Sequence, residues 1–195
     1  MQIQLPKLKK VDNTPDNRKK ILLLSDDLRF HSGIATMSKE LIIGTAHEYK
    51  WVQLAAALNH PEHGKVLDIS QSVNDEIGIS NANVKLYCHT TYGNIQVLKE
   101  ILHFEKPDVI MLFTDPRHWM WFWPFEHELK TKYKIGIVYL SVWDNLITPT
   151  YNKSFYGSCD ALFAISRQTH EIHKSVLNHR GSEWIDLDVD NIEEI

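Results

Sequence analysis

The sequence predicts an α/β protein: a doubly wound, Rossmann-like parallel sheet in a single domain. Three observations predict it. Short apolar runs recur along the chain, and several are apolar throughout, as strands buried on both faces require. Segments of helical periodicity separate them, at spacings of about 25 residues, so successive strands are parallel and joined by right-handed crossovers. The chain has 195 residues, 43% of them hydrophobic, which suits one packed core.

The elements follow in order. Residues 1–20 carry Lys7, Lys9, Lys10, Arg18, Lys19 and Lys20 with no apolar stretch, and read as a polar basic leader. ILLLS, from Ile21, is the first strand. Ile34, Met37, Leu41 and Thr45 then fall at helical spacing. WVQLAAAL (51–58) is a second strand, and the alternating NVKLYCHT (83–90) a third. The stretch 59–82 between them reads as a long loop with at most one short element. NIQVLKEILHFEK (94–106) is an amphipathic helix with Ile95, Leu98 and Leu102 on one face, stopped by Pro107. DVIMLFTD (108–115), KIGIVYLSVWD (134–144) and ALFAIS (161–166) complete the strands, and RQTHEIHKSVLNH (167–179) closes with a helix. In RHWMWFWPFEHEL (117–129), Trp119, Phe122 and Phe125 share a helical face, and Pro124 divides the segment. Core packing accounts for that aromatic density, and residues 119–125 also offer a contact for a homo-oligomer.

Several functions are excluded or disfavoured. A net charge of -4 gives no global attraction to nucleic acid. Cys88 and Cys159 are far apart and form no CxxC, which argues against a disulfide framework or a zinc site and fits a reducing, cytoplasmic compartment. No apolar run approaches the ~20 residues of a membrane span, and no secretory signal follows the basic leader. HPEH (60–63) and HEIH (170–173) lack the spacing of a zinc protease. Asp186, Asp188 and Asp190 alternate like a calcium loop, but Asn191 stands in the glycine position. No metal is expected.

In an open parallel sheet, ligands bind beyond the carboxyl ends of the strands. After the first strand come Ser25, Asp26, Asp27, Arg29, His31, Ser32 and Gly33. His89, Thr90 and Thr91 follow the third; Thr114, Asp115, Arg117 and His118 the fourth; Trp143, Asp144 and Asn145 the fifth; Ser166 and Arg167 the sixth. The candidate catalytic carboxylates are Asp144 and Asp115. Ser32 and Gly33, at a helix N-terminus with its positive dipole end, and Arg29 are the candidates for an anionic ligand. Asp27, His31, His118, Trp143 and Ser166 are candidates for a polyhydroxylated substrate, because carboxylates and hydroxyls accept its hydrogen bonds.

ILLLSDDLRFHSGIATMSKEL, KPDVIMLFTD, KIGIVYLSVWDN and YGSCDALFAISRQTHEIHKSVL together resemble the N-terminal domain of GT-B fold glycosyltransferases of the family 4 type, over about residues 20–190. The fourth segment is the most specific, combining Asp160, the strand, Ser166 and a helix. Ser32 stands where many members have a glycine, and Trp143 where many have a histidine, so that histidine's role does not carry over to Trp143. The resemblance implies an acceptor-side domain over residues 21–181, and over 182–195 an acidic tail or the start of an interdomain linker. It further implies hexosyl transfer from a nucleotide sugar, which is a co-substrate rather than a bound cofactor, to a carbohydrate or glycosylated acceptor. The donor would be held mainly by a C-terminal domain, so the chain alone is expected to be inactive. The alternatives are a non-catalytic interaction domain and a receiver-type signalling domain. ILLLSDD suits a receiver, but YCHT and VWDN lack the aspartate and lysine that a receiver needs at those strand ends.

Overall fold

The structure is a computed structural model that describes residues 16–143, 145 and 148–177. Asp144, most of the basic leader and the acidic tail expected at 182–195 lie outside the described residues.

The chain runs β1 (Lys20–Asp26), α1 (Gly33–Thr45), β2 (Lys50–Ala57), β3 (Val66–Asp68), α2 (Ser70–Ile77), β4 (Val84–Thr90), α3 (Ile95–Glu105) and β5 (Val109–Phe113). Short turns follow: 3-10 turns at Pro116–Trp119 and Trp123–Phe125, then α4 (Glu126–Glu128), which runs into a π-helical turn at Leu129–Tyr133. β6 (Gly136–Ser141), α5 (Lys153–Gly157), β7 (Ala161–Ala164) and α6 (Arg167–Leu177) complete it. Among the described residues, seven strands form one sheet in the order β3-β4-β2-β1-β5-β6-β7. All neighbours are parallel except β3, which runs antiparallel to β4. The doubly wound parallel sheet expected from the sequence is therefore present.

Alternation along β1 sends side chains to two cores. Leu23 packs in one cluster with Ile42 of α1, Ala46 just past its end, and Trp51, Ala55, Val84 and Leu86. Leu22 and Leu24 meet Leu98 and Leu102 of α3, Trp119, Phe122 and Phe125, and Ile172 and Val176 of α6. Full burial of each large side chain is worth about 1.5–3 kcal/mol. The expected aromatic face is present, with Trp119, Phe122 and Phe125 buried; Trp121 and Trp123 are partly buried and pack against the same core.

Two details differ from the sequence reading. The face of α1 that meets the sheet is Ala35, Ser38 and Ile42, one position on from the Ile34–Met37–Leu41–Thr45 stripe. Small residues let the helix approach closely, and Ser38 Oγ donates to Ser25 Oγ at 3.0 Å. The 59–82 stretch holds both β3 and α2, two elements rather than one. Val73 is the buried residue of α2, and β3 is half-exposed, so neither leaves a strong apolar pattern. No helix among the described residues is long and apolar enough to cross a membrane.

β1 pairs with β2 on one side and β5 on the other, and the chain reverses its winding between β1 and β5. That switch point is where an open α/β sheet leaves a crevice beyond its carboxyl edge.

Candidate functional site

The site is built at the end of β1. Gln53, fully buried on β2, holds the chain there. Its amide donates to Ser25 Oγ and to the Asp26 carbonyl, both at 2.7 Å, and its Oε1 accepts from the Leu28 N–H at 3.2 Å. The turn then delivers Ser32 as N-cap of α1, with Oγ accepting from the Ala35 N–H at 2.9 Å.

Ser32 Oγ also donates to Asp26 Oδ2, and Tyr92 O–H donates to Asp26 Oδ1, each at 2.7 Å. Tyr92 stacks on His118, with ring centroids 4.5 Å apart, and meets Trp119 edge-on at 4.9 Å. Burial, then the Asp26 carboxylate, push its phenol well above the ordinary range, so it remains a donor at neutral pH. The backbone around Tyr92 is constrained. Thr91, a β-branched residue, sits at φ 80°, and Gly93 at φ 79°. Such a β-branched residue costs about 1–3 kcal/mol, and outliers of this kind cluster at functional sites.

Asp26, Ser32, Thr91 and Tyr92 border a cleft of about 370 Å³ whose walls include Phe30, Ala56, Ala57 and Leu58. This volume lies in the range of small-molecule sites. The cleft combines an apolar floor, aromatic rings and one carboxylate.

Asp27 points the other way. It is fully buried, with Arg29 Nη2 2.6 Å from Oδ2, Arg29 Nε 3.0 Å and the Arg29 N–H 2.8 Å from Oδ1, and His60 Nε2 2.9 Å from Oδ2. Burial pushes its carboxyl up, but the Arg29 and His60 hydrogen bonds outweigh this, so its pKa lies below the ordinary value. Arg29 is further held by Glu62 at 2.6 Å. Its guanidinium is thus committed within the protein, which removes the counterion expected for an anionic ligand.

Asp27, His60 and Cys88 offer ligand atoms within 4.8 Å of one another, the spacing of a metal site. The donor set does not fit one. Arg29 Nη2 already supplies the positive charge, 2.6 Å from Asp27 and 3.4 Å from Cys88 Sγ. The Glu62 N–H donates to His60 Nδ1 at 3.0 Å, so Nε2 carries the ring hydrogen and has no lone pair to give. Burial also pushes the Cys88 thiol up, away from the thiolate that a metal needs.

The other sequence candidates divide. His118 reaches the cleft through Tyr92, and Gly33 opens α1 directly behind Ser32. A Cβ at Gly33 would meet no atom within 4 Å, so the space before the helix does not depend on glycine. His31 is exposed and borders a separate groove between α1 and α2. Asp115 caps the turn at Pro116 and is clasped by Arg117, whose hydrogen bonds hold its carboxyl below the usual range; a general base works best with a pKa near the working pH. Arg117 lies over the ring of Tyr151 at 5.7 Å, and Trp143 meets the same ring at 6.1 Å. Thr169 Oγ1 donates to the Trp143 carbonyl, and Ser166 Oγ accepts from the Thr169 N–H at the start of α6. Asp115, Trp143 and Ser166 therefore form a second series along the β5–β7 end of the edge, chiefly in capping roles.

Asp26, and not the expected substrate contact Asp27, opens on the cleft, and Phe30 and Tyr92, which are not among the sequence candidates, line it. The available signal for Tyr92 was an aromatic residue followed by glycine, in the loop TTYGN between a strand and a helix. No family model, no curated protein and no solved structure matches the chain.

Proposed function

We propose that the chain is the acceptor-binding half of a nucleotide-sugar-dependent sugar transferase, and that Asp26 is the carboxylate facing the acceptor. One observation carries this reading: Asp26, at the β1 edge, lies in an aromatic-walled cleft with Ser32 and Tyr92 as hydroxyl partners. Each carboxylate oxygen has two lone-pair directions, so one on each remains for an acceptor hydroxyl. Phe30 and the Tyr92–His118 stack supply apolar ring faces for the C–H side of a sugar. The donor diphosphate requires cations, and Arg29 and Arg117 are already paired with Asp27 and Asp115. Donor binding is therefore assigned to a further domain, and the chain by itself is expected to leave UDP-glucose and GDP-mannose unchanged.

The test is amide NMR mapping with glucose, galactose and mannose, alongside a turnover assay. The expected result is shifts confined to Asp26, Phe30, Ser32, Leu58, Thr91 and Tyr92, with no sugar-nucleotide hydrolysis or transfer. Shifts elsewhere, or none with any sugar, refute the acceptor site. Turnover by this chain alone refutes the division of labour.

A further inference from the structure

We infer that the Asp26 cleft selects an acceptor carrying a primary ammonium group on its polyhydroxylated ring, and disfavours phosphate- or carboxylate-bearing acceptors. The inference rests on reading the cleft as an acceptor site.

The observation behind it is a contrast among the carboxylates that are not fully exposed. Glu40, Asp68, Asp75 and Glu100 also lack a basic partner within ion-pair distance among the described residues, but they lie on the open surface. Asp27 has Arg29, Glu105 has Lys20 and Lys85, Asp115 has Arg117, and Asp108 has Lys19. Asp160 and Glu126 share Lys130, and Glu62 has Arg29. Asp26 is half-buried and opens on the cleft, yet among the described residues no basic side chain lies within ion-pair distance of it. Its partners are two neutral hydroxyls. They orient the carboxylate without cancelling its charge.

The rest of the lining points the same way. Among the described residues no lysine or arginine borders the cleft, so an incoming anion would meet the full charge of Asp26, offset only by the α1 N-terminus behind Ser32 and by no side-chain cation. A ligand ammonium would gain a charge-assisted hydrogen bond there. Phe30 and Tyr92 add ring faces that attract a cation. A divalent metal is a poorer occupant, because it needs several oxygen ligands and the cleft offers a single carboxylate.

The experiment titrates the full chain with four probes: glucosamine, glucose, glucose 6-phosphate and butylamine. Amide NMR reports both the location and the affinity of each. Glucosamine is expected to bind about tenfold tighter than glucose, the difference between a charge-assisted and a neutral hydrogen bond. Glucose 6-phosphate is expected to bind more weakly than glucose. Raising the pH until the amine is neutral should abolish the preference with glucose binding retained, whereas Asp26→Asn should abolish the preference and weaken both sugars, because the carboxylate that receives them is lost. Equal binding of glucosamine and glucose at the cleft overturns this inference and leaves the acceptor site standing. Binding of butylamine as tightly as glucosamine, with no response to glucose, overturns the sugar site itself. Tighter binding of the phosphate than of glucose overturns the charge argument.

Discussion

Asp26 and Asp27 are adjacent in the chain and leave the end of β1 in opposite directions. Asp26 turns to the cleft, where Ser32 and Tyr92 donate to it. Asp27 turns inward, fully buried, and is clasped by Arg29 and His60. One carboxylate is kept reachable by neutral partners; the other is locked by charge.

Their amide variants should therefore separate stability from binding. Asp27→Asn leaves the Arg29 guanidinium short of its main counterion, with the arginine side chain only 30% exposed. Breaking a buried pair costs about 3–5 kcal/mol, and the partial exposure of Arg29 lowers the expected loss to about 2–3 kcal/mol. Asp26→Asn removes one hydroxyl partner at a half-exposed site and should cost about 1 kcal/mol or less. Urea denaturation at neutral pH compares them. Equal midpoints for the two variants would contradict the assignment.

Gly93 is fixed by two independent constraints. Its φ of 79° is one that side-chain-bearing residues rarely adopt, and a Cβ would lie 2.7 Å from Leu54 Cδ2. Leu54 is fully buried and cannot easily give way. Gly93→Ala should lose about 2–4 kcal/mol, combining backbone strain with overpacking. The displaced neighbour is Tyr92, so the shift in Asp26 amide resonances should accompany the drop in melting temperature. A variant as stable as the parent would show that the loop relaxes freely.

Much of the fold was legible because continuous apolar runs such as ILLLS and DVIMLF admit few alternatives to buried parallel strands. β3 and α2 were not legible, because each buries little and their stability comes from pairing with β4 and the N–H of Val84 bonding Ser70 Oγ. The location of the cleft followed from the rule for strand ends. Which of two adjacent aspartates faces it did not, since that depends on Arg29 within the turn and on Gln53 and His60, which reach it from elsewhere in the sequence. A charged pair after a strand reads the same whether it faces in or out.

Gln53 tests that dependence directly. It is the buried anchor for the Asp26 carbonyl and the Leu28 N–H. Gln53→Leu keeps the volume but leaves the Leu28 N–H without this partner, at about 1–3 kcal/mol for a buried unsatisfied group, and removes one donor from the Asp26 carbonyl, which keeps Ser25 Oγ, at about 1 kcal/mol. The expected total is about 2–4 kcal/mol by chemical denaturation. Because the turn carrying Asp26 loses its tether, sugar affinity should fall as well, measured at a temperature where the variant is folded. Unchanged affinity would mean that Ser32 and Tyr92 alone position the carboxylate.

His173 sets an acid limit that the carboxylates do not. It is almost fully buried on α6, its Nε2 has no hydrogen-bond partner among the described residues, and its ring lies 4.8 Å from Tyr156. Burial, and then the nearby His170, lower its pKa from 6.5 to about 4. The unfolded chain takes up this proton at higher pH than the folded one, so folding stability is fully present above pH 6.5 and is lost as the pH falls toward about 4. The loss levels off below that and amounts to something on the order of 3 kcal/mol. Asp27 behaves differently: its folded pKa is depressed, so its contribution persists down to the unfolded carboxylate value of about 3.9 and disappears only below it. Melting temperatures at about pH 7 and pH 5 therefore isolate the histidine from the carboxylates. The parent chain should lose stability between them, and His173→Leu, which fills the same apolar pocket without a titratable ring, should lose markedly less. Parallel decreases in parent and variant would place the acid sensitivity elsewhere.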